Sequence, residues 1–536
     1  INASGEELFS GKLLLDNLNS FLFQVAGPQI VHLLAAFACG GSKGISLENV
    51  ASHLNANIST ILIDIQRIAV SGVLEQTGKT TLCIQPDFLR SALIKTVFFS
   101  DDALTLPVTL CEALITSSAD PSLGYLELIH AKARANASIT DDTLRKIVRG
   151  RNDPKLWKAL AWLDRSNCDW VIENIPKLFS DIKRAALHYN PVKIIPFMLD
   201  SAALDTRALN SAPDADMRIL EDWINQGWAD EGVSFRKTLF ESIIRWFPIS
   251  KNISTSMKAM QYVFSLNYRE SDTDPTDPHT IRIKEGLLPL ENAQAVFHLW
   301  EHFLVFIQSL EIYPWPGIIL VIETWMRSNI RRKPNPDNEY NDFLLSTKRK
   351  MVGDLISFAS ENQAMLRWVF LMAKKVDILI DPFPISEEFM ILYPEEHLDD
   401  DWQQRHINQI QKSQELALAW KNRPFQEIVQ TLTKWEQESK LVGRISSRMA
   451  PIFCAQLAEI RKLTSTELSI AINQLPVSML EPFLNHALIN DSTTNDQLEE
   501  CFNRADLECI LINNTLTGRT PQLYLKLEDK LLNWIQ

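Results

Sequence analysis

Glycine is scarce in this chain: 17 residues of 536, well under the roughly 7% of an average protein. That shortage disfavours the tight turns of β-sandwiches and the glycine loops that cradle phosphates. No G-x-x-x-x-G-K-[ST] run is present; the nearest approach, Gly40-Gly41-Ser42-Lys43-Gly44, lacks the spacing that aims successive amides and a lysine at a phosphate. No serine sits in a G-x-S-x-G elbow. The seven cysteines (Cys39, Cys83, Cys111, Cys168, Cys454, Cys501, Cys509) are odd in number, scattered, and form no C-x-x-C pair, a pattern expected of reduced thiols in a cytoplasmic protein. Long apolar runs are missing too. Ala293 to Ile312 is interrupted by His298, Glu301, His302, Gln308 and Glu311, and Trp315 to Ile322 is short of the roughly 20 residues a membrane span needs. No charged n-region followed by an apolar core opens the chain. It starts on Ile1, which makes a fragment of a longer protein the simplest reading.

What is present fits a large helical protein. The hydrophobic fraction is 46% and the charged fraction 22%, ordinary values for a folded chain, and the length leaves room for roughly three to five domains. A net charge of −13 sets up a field that repels polyanions, so generic nucleic-acid binding is disfavoured.

The first stretch has a specific order of elements. Residues 1–27 carry Leu13 to Leu15, Leu18, Phe21, Leu22 and Val25 at helical spacing. Gly27-Pro28 ends that segment and opens a helix from about Gln29 to Cys39, with proline in the first turn. Ser46 caps a second helix, Leu47 to Leu54. A third runs from Thr60 to Ser71 with Ile61, Ile65, Ile68 and Ala69 inward. Gly72 closes it, and Val73 to Gln76 and Thr81 to Ile84 then read as a hairpin about Thr77-Gly78-Lys79-Thr80, where Gly78 is expected to supply a positive φ. Helical spacing resumes from Pro86 to Phe99. Three helices, a hairpin and a closing helix make a winged helix-turn-helix over residues 28–105.

Beyond Asp102 no run of strands is expected. Helical segments follow one another: Pro154 to Leu163, Trp170 to Phe179, Pro191 to Leu199, Arg218 to Asn225, Phe235 to Trp246, Leu290 to Leu310, Gly317 to Ile330, Phe343 to Ala359, Asp401 to Trp420, Phe425 to Leu441 and Arg444 to Leu463. Short polar connectors between them suit antiparallel neighbours. Proline and acidic residues mark breaks at Ser271 to Thr280, Arg332 to Asp342 and Pro382 to Asp400. The expected architecture is all-α dominated: a lid-like segment (1–27), the winged module (28–105), and an α-solenoid of degenerate helical pairs divided into 106–270, 281–390 and 400–536, with no fixed-period repeat.

Three patterns could carry chemistry. His298-Leu299-Trp300-Glu301-His302 matches H-x-x-E-H, which on a helix puts two histidines on one face for zinc with Glu301 as base. A third ligand would have to come from Glu361, Glu387 or Glu388, and the competing reading makes Phe297, Trp300 and Phe303 to Phe306 core with the histidines at a helix surface. The winged module invites DNA, yet its third helix carries one basic side chain, Arg67, preceded by Asp64. Across 28–100 Lys43, Arg67, Lys79, Arg90 and Lys95 are nearly balanced by Glu48, Asp64, Glu75 and Asp87, too few free cations to neutralise many phosphates. Basic clusters also occur at Arg145, Lys146, Arg149, Arg151 and Lys155 and at Arg327, Arg331, Arg332, Lys333, Lys348, Arg349 and Lys350. Of the 14 tryptophans, those in the middle region (Trp157, Trp162, Trp170, Trp223, Trp228, Trp246) are expected to pack between helices, and any left exposed would be a binding anchor.

The segments SLENVASHLNANISTILIDIQRI (Ser46 to Ile68) and SGVLEQTGKTTLCIQPDFLRSALIKTVFF (Ser71 to Phe99) resemble the winged-helix domain of the signal-transducing NTPases with numerous domains, in particular the prokaryotic antiviral kind. About 70 residues carry the resemblance, and the order of lid-like helices, winged module and helical array agrees over the rest. It implies a sensor and regulatory segment without catalysis of its own. A protein ligand, in some cases phage-derived, would be recognised by the array and relayed through the winged helix to an upstream ATPase domain missing from this chain, with oligomerisation allowed. The family's P-loop, acidic Walker residue and sensor arginine have no counterpart here, so no catalytic, cofactor-binding or metal residue is assigned and no cofactor is expected. A DNA-binding transcriptional regulator with a helical-repeat sensor is the alternative, and an H-x-x-E-H zinc metallopeptidase the minor one.

Overall fold

The structure is a computed structural model that describes residues 27–69, 72–100, 105–205, 215–226, 229–274, 277–310, 314–326, 338–375, 378–394, 402–442, 449–489 and 496–497. It is helix-dominated, with a winged helix-turn-helix followed by stacked helical pairs. Two compact units share the chain: residues 1–224 with 238–250, and residues 225–237 with 251–536.

In the first unit the winged module consists of helix α1 (Pro28–Ala38), strand β1 (Ile45–Ser46), helices α2 (Leu47–His53) and α3 (Ile58–Ala69), strands β2 (Leu74–Gln76) and β3 (Thr81–Ile84), and helix α4 (Asp87–Phe98). Pro28 occupies the first turn of α1, and Ser46 accepts the Asn49 amide at 3.2 Å as the cap of α2. The sheet order is β1-β3-β2, antiparallel throughout, with Ile45 opposite Leu82 and Glu75 opposite Cys83. The strand β1 carries no sequence signal because it is two residues long. The hairpin departs from expectation at Gly78, which is not in the left-handed region; the Thr77 amide closes the turn by donating to the Thr81 carbonyl at 3.0 Å. Ile61 and Ile68 are buried beneath α3, and Ile65 is half-buried.

Seven helices continue the first unit: α5 (Val108–Thr116), α6 (Pro121–Ala135), α7 (Asp141–Arg151), α8 (Pro154–Ala161), α9 (Arg165–Asn174), α10 (Ser180–Tyr189) and α11 (Pro191–Asp205). From α6 onward most helices pack on the next one or two in sequence, the signature of stacked pairs. Sequence-specific stops set their lengths. Asp120, Thr140, Asp153 and Asp164 cap α6 to α9 with their side chains, while Asn136 and Asn152 end α6 and α7 in the left-handed conformation that asparagine tolerates. The segment read as Trp170 to Phe179 stops early at Asn174, two residues before Pro176.

One ion pair fastens the winged module to this array. Arg90 on α4 and Glu127 on α6 are both almost fully buried and meet at 2.8 Å; the guanidinium also donates to the Ile84 carbonyl at 2.7 Å and to Asp87 at 2.6 Å. Ser91 donates to the other Glu127 oxygen at 3.3 Å. Burial opposes the charge on Arg90, and Glu127 with Asp87 outweighs it, so the guanidinium pKa stays above its ordinary value. Close backbone approach completes the joint: a Cβ on Gly124 would lie 2.4 Å from the Cys39 carbonyl oxygen, so α6 can reach the end of α1 only at a glycine.

Helices α12 (Ala215–Gln226) and α13 (Ala229–Ser250) are divided between the two units. The second unit continues with α14 (Ile253–Val263), strands β4 (Asn267–Asp274) and β5 (Asp277–Leu287), and helices α15 (Leu290–Phe297), α16 (Leu299–Gln308), α17 (Trp315–Met326), α18 (Asn338–Phe358), α19 (Gln363–Lys375), α20 (Glu387–Leu392), α21 (Trp402–Trp420), α22 (Phe425–Val442), α23 (Met449–Ile460), α24 (Ser465–Gln474) and α25 (Val477–Ile489). Helix α21 packs on α23 and α23 on α25, while α22 packs on α24, so successive helices alternate between two layers. Aromatic rings fill the space between layers: Trp420 lies 5.3 Å from Phe453 and 6.1 Å from Trp435, and Trp435 meets Phe389 edge-on at 5.3 Å.

The hairpin β4-β5 corrects the expectation of a loop at Ser271 to Thr280 and of no strands after Asp102; Asn267 pairs with Leu287 and Thr273 with Ile281. Acidic and proline residues hid the β pattern, yet backbone pairing alone satisfies the amides of such a ribbon. Fully buried Arg236 anchors its entry, donating to the carbonyls of Ser265, Gly232 and Asn267 at 2.9, 3.1 and 3.1 Å, and desolvation pulls its pKa down to about 10. Part of the Arg332 to Asp342 break is likewise helical, since α18 starts at Asn338; residues 332–337 lie outside the described residues, as do 1–26, residues 395–401 at the end of the third break, and 498–536.

Truncating Glu127 to alanine removes the buried carboxylate and leaves the Arg90 charge in the core with only the largely exposed Asp87 as an ionic partner. Denaturant unfolding should show a loss of roughly 3 to 5 kcal/mol for the first unit, and a loss under 1 kcal/mol would mean that the pair does not hold the joint. A second expectation concerns acid. Burial disfavours ionised Asp141, but Lys132 and Asn167 outweigh it and hold the carboxyl below the usual aspartate value. Its stabilisation is therefore complete at neutral pH and disappears as pH falls through the lowered value, below about 4. Asp141→Asn should flatten that acid limb of a stability profile.

Candidate functional site

The recognition helix of the winged module is where function would be read first. Along α3 the side chains turned to solvent are Ile58, Ser59, Thr60, Leu62, Ile63 and Gln66, with Ile58 42%, Leu62 44% and Ile63 54% exposed. The spacing of Ile58 to Leu62 and Ser59 to Ile63 puts these residues on one face. The aliphatic side chains among them offer no donors to base edges or phosphates, which leaves Ser59, Thr60 and Gln66; groove-reading helices concentrate arginine, lysine, asparagine or glutamine there. The side chain of Arg67 lies outside the described residues. Among the other cations of the module, Arg90 is consumed in the core by Glu127 and Asp87.

The glycine loop has a packing role. Gly41–Lys43 form a 3-10 turn, and Gly44, at φ +76°, runs so close to β3 that a Cβ would sit 2.3 Å from the Leu82 carbonyl oxygen. Its carbonyl accepts the Ala119 amide at 3.2 Å, tying the loop to the start of α6.

The H-x-x-E-H segment is split by a turn at His298, which links α15 to α16 without losing helical φ and ψ. Trp300 and Phe303 are fully buried, and the Trp300 indole donates to Asp354 at 2.9 Å. His298, Glu301 and His302 are exposed. Glu301 pairs with Lys350 at 2.6 Å, which holds its carboxyl below the ordinary range, and that geometry suits a salt bridge more than a base. Glu388 accepts the Trp420 indole proton at 2.8 Å. Among the described residues no three His, Cys, Asp or Glu side chains come together as a metal site, so Glu361, Glu387 and Glu388 are not brought to the two histidines. Among the described residues the thiols offer no ready nucleophile either: Cys39, Cys83, Cys111, Cys168 and Cys454 are buried and free, and desolvation pushes Cys168 up to about 12.

The first basic cluster is largely structural. Arg145 and Arg149 lie over the Trp170 ring at 5.7 and 5.2 Å, Trp170 stacks on Trp157 at 5.5 Å, and Arg145 donates to Asn167 and Ser166 at 2.9 Å each. Arg151 covers Tyr125 at 5.0 Å. In the second cluster Lys348 is half-buried with its pKa lowered by desolvation, and Lys350 is engaged by Glu301; Arg327, Arg331, Arg332 and Lys333 lie outside the described residues. Three of the six middle-region tryptophans are core, since Trp157, Trp223 and Trp246 are buried, with the Trp246 indole donating to Asp200 at 2.7 Å, and Trp170 is half-buried. Trp162 differs, being 42% exposed; Trp228 lies outside the described residues. No helix among the described residues is long and apolar enough to cross a membrane.

Elemental analysis of purified protein should return no zinc at unit stoichiometry. Bound zinc that disappears in His298→Ala would overturn the packing account of this segment. Comparison with protein-family models, with curated proteins and with solved structures found no match.

Proposed function

We propose that this chain is a recognition and relay segment of the kind found in signal-transducing NTPases with numerous domains: the helical array grips a protein ligand, and the winged module passes that event to an ATPase domain. The observation that carries this reading is the exposed aliphatic face of α3, Ile58, Leu62 and Ile63. Burying such a face against a protein gains about 25 cal/mol per Å² of apolar area, whereas a DNA backbone repays nothing for it. The buried Arg90 and Glu127 pair supports the relay, because it makes the closing helix of the winged module and a helix of the array parts of one core. Movement of α6 is then felt at α4 directly.

The test places a photo-crosslinking amino acid at Ile63 in the full-length gene product and, in parallel, titrates the purified chain with duplex DNA at low salt. Crosslinks to protein and no mobility shift of the duplex are expected. Crosslinks to nucleic acid, or a shift that weakens steeply as salt rises, would replace this reading by the DNA-binding regulator.

A further inference from the structure

A groove of about 470 Å³ runs between α6 and α8 of the first unit, within the size range of ligand sites, roughly 300 to 1,000 Å³. Its floor is apolar, built from Leu126, Ile129, Ala159 and Leu163, and its rim carries Arg134, Lys155 and Lys158 with His130 further in. Trp162 closes one end, 42% exposed, backed by His188 at 5.9 Å and Tyr189 at 6.4 Å, whose hydroxyl donates to the Trp162 carbonyl at 3.0 Å. Lys158 meets Asp181 at 2.9 Å and His130 meets Glu127 at 3.6 Å. Among the described residues no ion pair engages Arg134 or Lys155.

Helix stability explains only part of this rim. Arg134 lies in the last turn of α6, where a cation suits the dipole, but Lys155 lies in the first turn of α8, where it opposes it. Cations converging over apolar side chains, in a chain of net charge −13, complement a ligand that is both acidic and apolar. A long polyanion is a poorer match. Nucleic-acid binding of useful strength draws on roughly 6 to 10 phosphate contacts, and the groove offers a short rim inside a repulsive field.

We propose that the groove between α6 and α8 docks an acidic peptide segment of a partner protein, its carboxylates on Arg134, Lys155 and Lys158 and its leucine or phenylalanine side chains on the floor beside Trp162. This deepens the protein-recognition reading above and rests on it.

Fluorescence anisotropy with the full chain tests it, using a labelled peptide that alternates glutamate with leucine and phenylalanine, a lysine analogue of that peptide, and a single-stranded oligonucleotide. The glutamate peptide should bind, more weakly as salt rises. The double variant Arg134→Glu, Lys155→Glu should loosen it at least about tenfold, and Ala133→Trp, which fills the groove without changing charge, should do the same. All three positions are exposed, so thermal unfolding should match the parent; should the tryptophan variant fail to fold, the charge-reversal variant decides. Absent binding of the glutamate peptide, affinity indifferent to charge reversal, equal binding of the lysine analogue, or tighter binding of the oligonucleotide would each overturn the proposal. Failure here with Ile63 still crosslinking to protein removes the groove alone, whereas crosslinks to nucleic acid remove the reading beneath it.

Discussion

The buried contact between Arg90 and Glu127 sets the terms for the first unit. A guanidinium taken out of water costs several kcal/mol unless a carboxylate and further acceptors meet it, and here Glu127, Asp87 and the Ile84 carbonyl all do. Those partners come from α4, from the end of β3 and from α6, so the charge can be buried only when the winged module and the array are assembled together. The glycine at 124 enforces the same condition sterically, because α6 must come within reach of the Cys39 carbonyl. A winged helix that hung from a linker would have needed neither feature.

The second unit solves a different problem, how to stack many helices without a repeating sequence. Large aromatic residues provide the spacing, and their polar atoms provide the register. The indole of Trp300 donates to Asp354, that of Trp420 to Glu388, and that of Trp325 to Thr347. Each such bond joins two different helices and is costly to leave unmade. A degenerate array can therefore be specific at each step while showing no period along the chain.

What the sequence reveals and what it conceals follow from the range of the interactions involved. Helical spacing, the Ser46 cap, the Pro28 start and the Thr81 to Ile84 strand are local signals, and each appears where the residues point. Features made by long-range partners stay hidden: the two-residue strand β1 exists only because β3 pairs with it, and β4-β5 exists because two polar segments pair with each other. The candidate surfaces divide in the same way. That α3 carries a single basic residue, Arg67, can be read directly, but that Ile58, Leu62 and Ile63 face water while Ile61 does not depends on what packs beneath the helix. The basic run from Arg145 to Lys155 reads as one cluster along the chain, yet Arg145 and Arg149 are spent on Trp170 while Lys155 faces the groove with Arg134, a residue no linear pattern links to it.

The two surfaces differ in chemistry in a way that bears on the roles proposed for them. The aliphatic side chains exposed on α3, Ile58, Leu62 and Ile63, carry no charge to steer a partner from a distance, which suits contact with something already held close, such as another part of the same polypeptide. The groove between α6 and α8 carries cations around an apolar floor, and charge of that kind speeds encounter with a free ligand and discriminates among candidates more than it adds affinity. Helix α6 belongs to both: it supplies Leu126, Ile129 and Arg134 to the groove and Glu127 to the core beneath the winged module. Consecutive residues at 126 and 127 thus line the groove on one side and meet Arg90 on the other. A ligand that draws α6 outward or rolls it must alter the geometry of a buried ion pair, where displacement of even a fraction of an ångström is energetically expensive. In the relay proposed above, such a signal needs no flexible hinge, since the stiffness of the pair would transmit it.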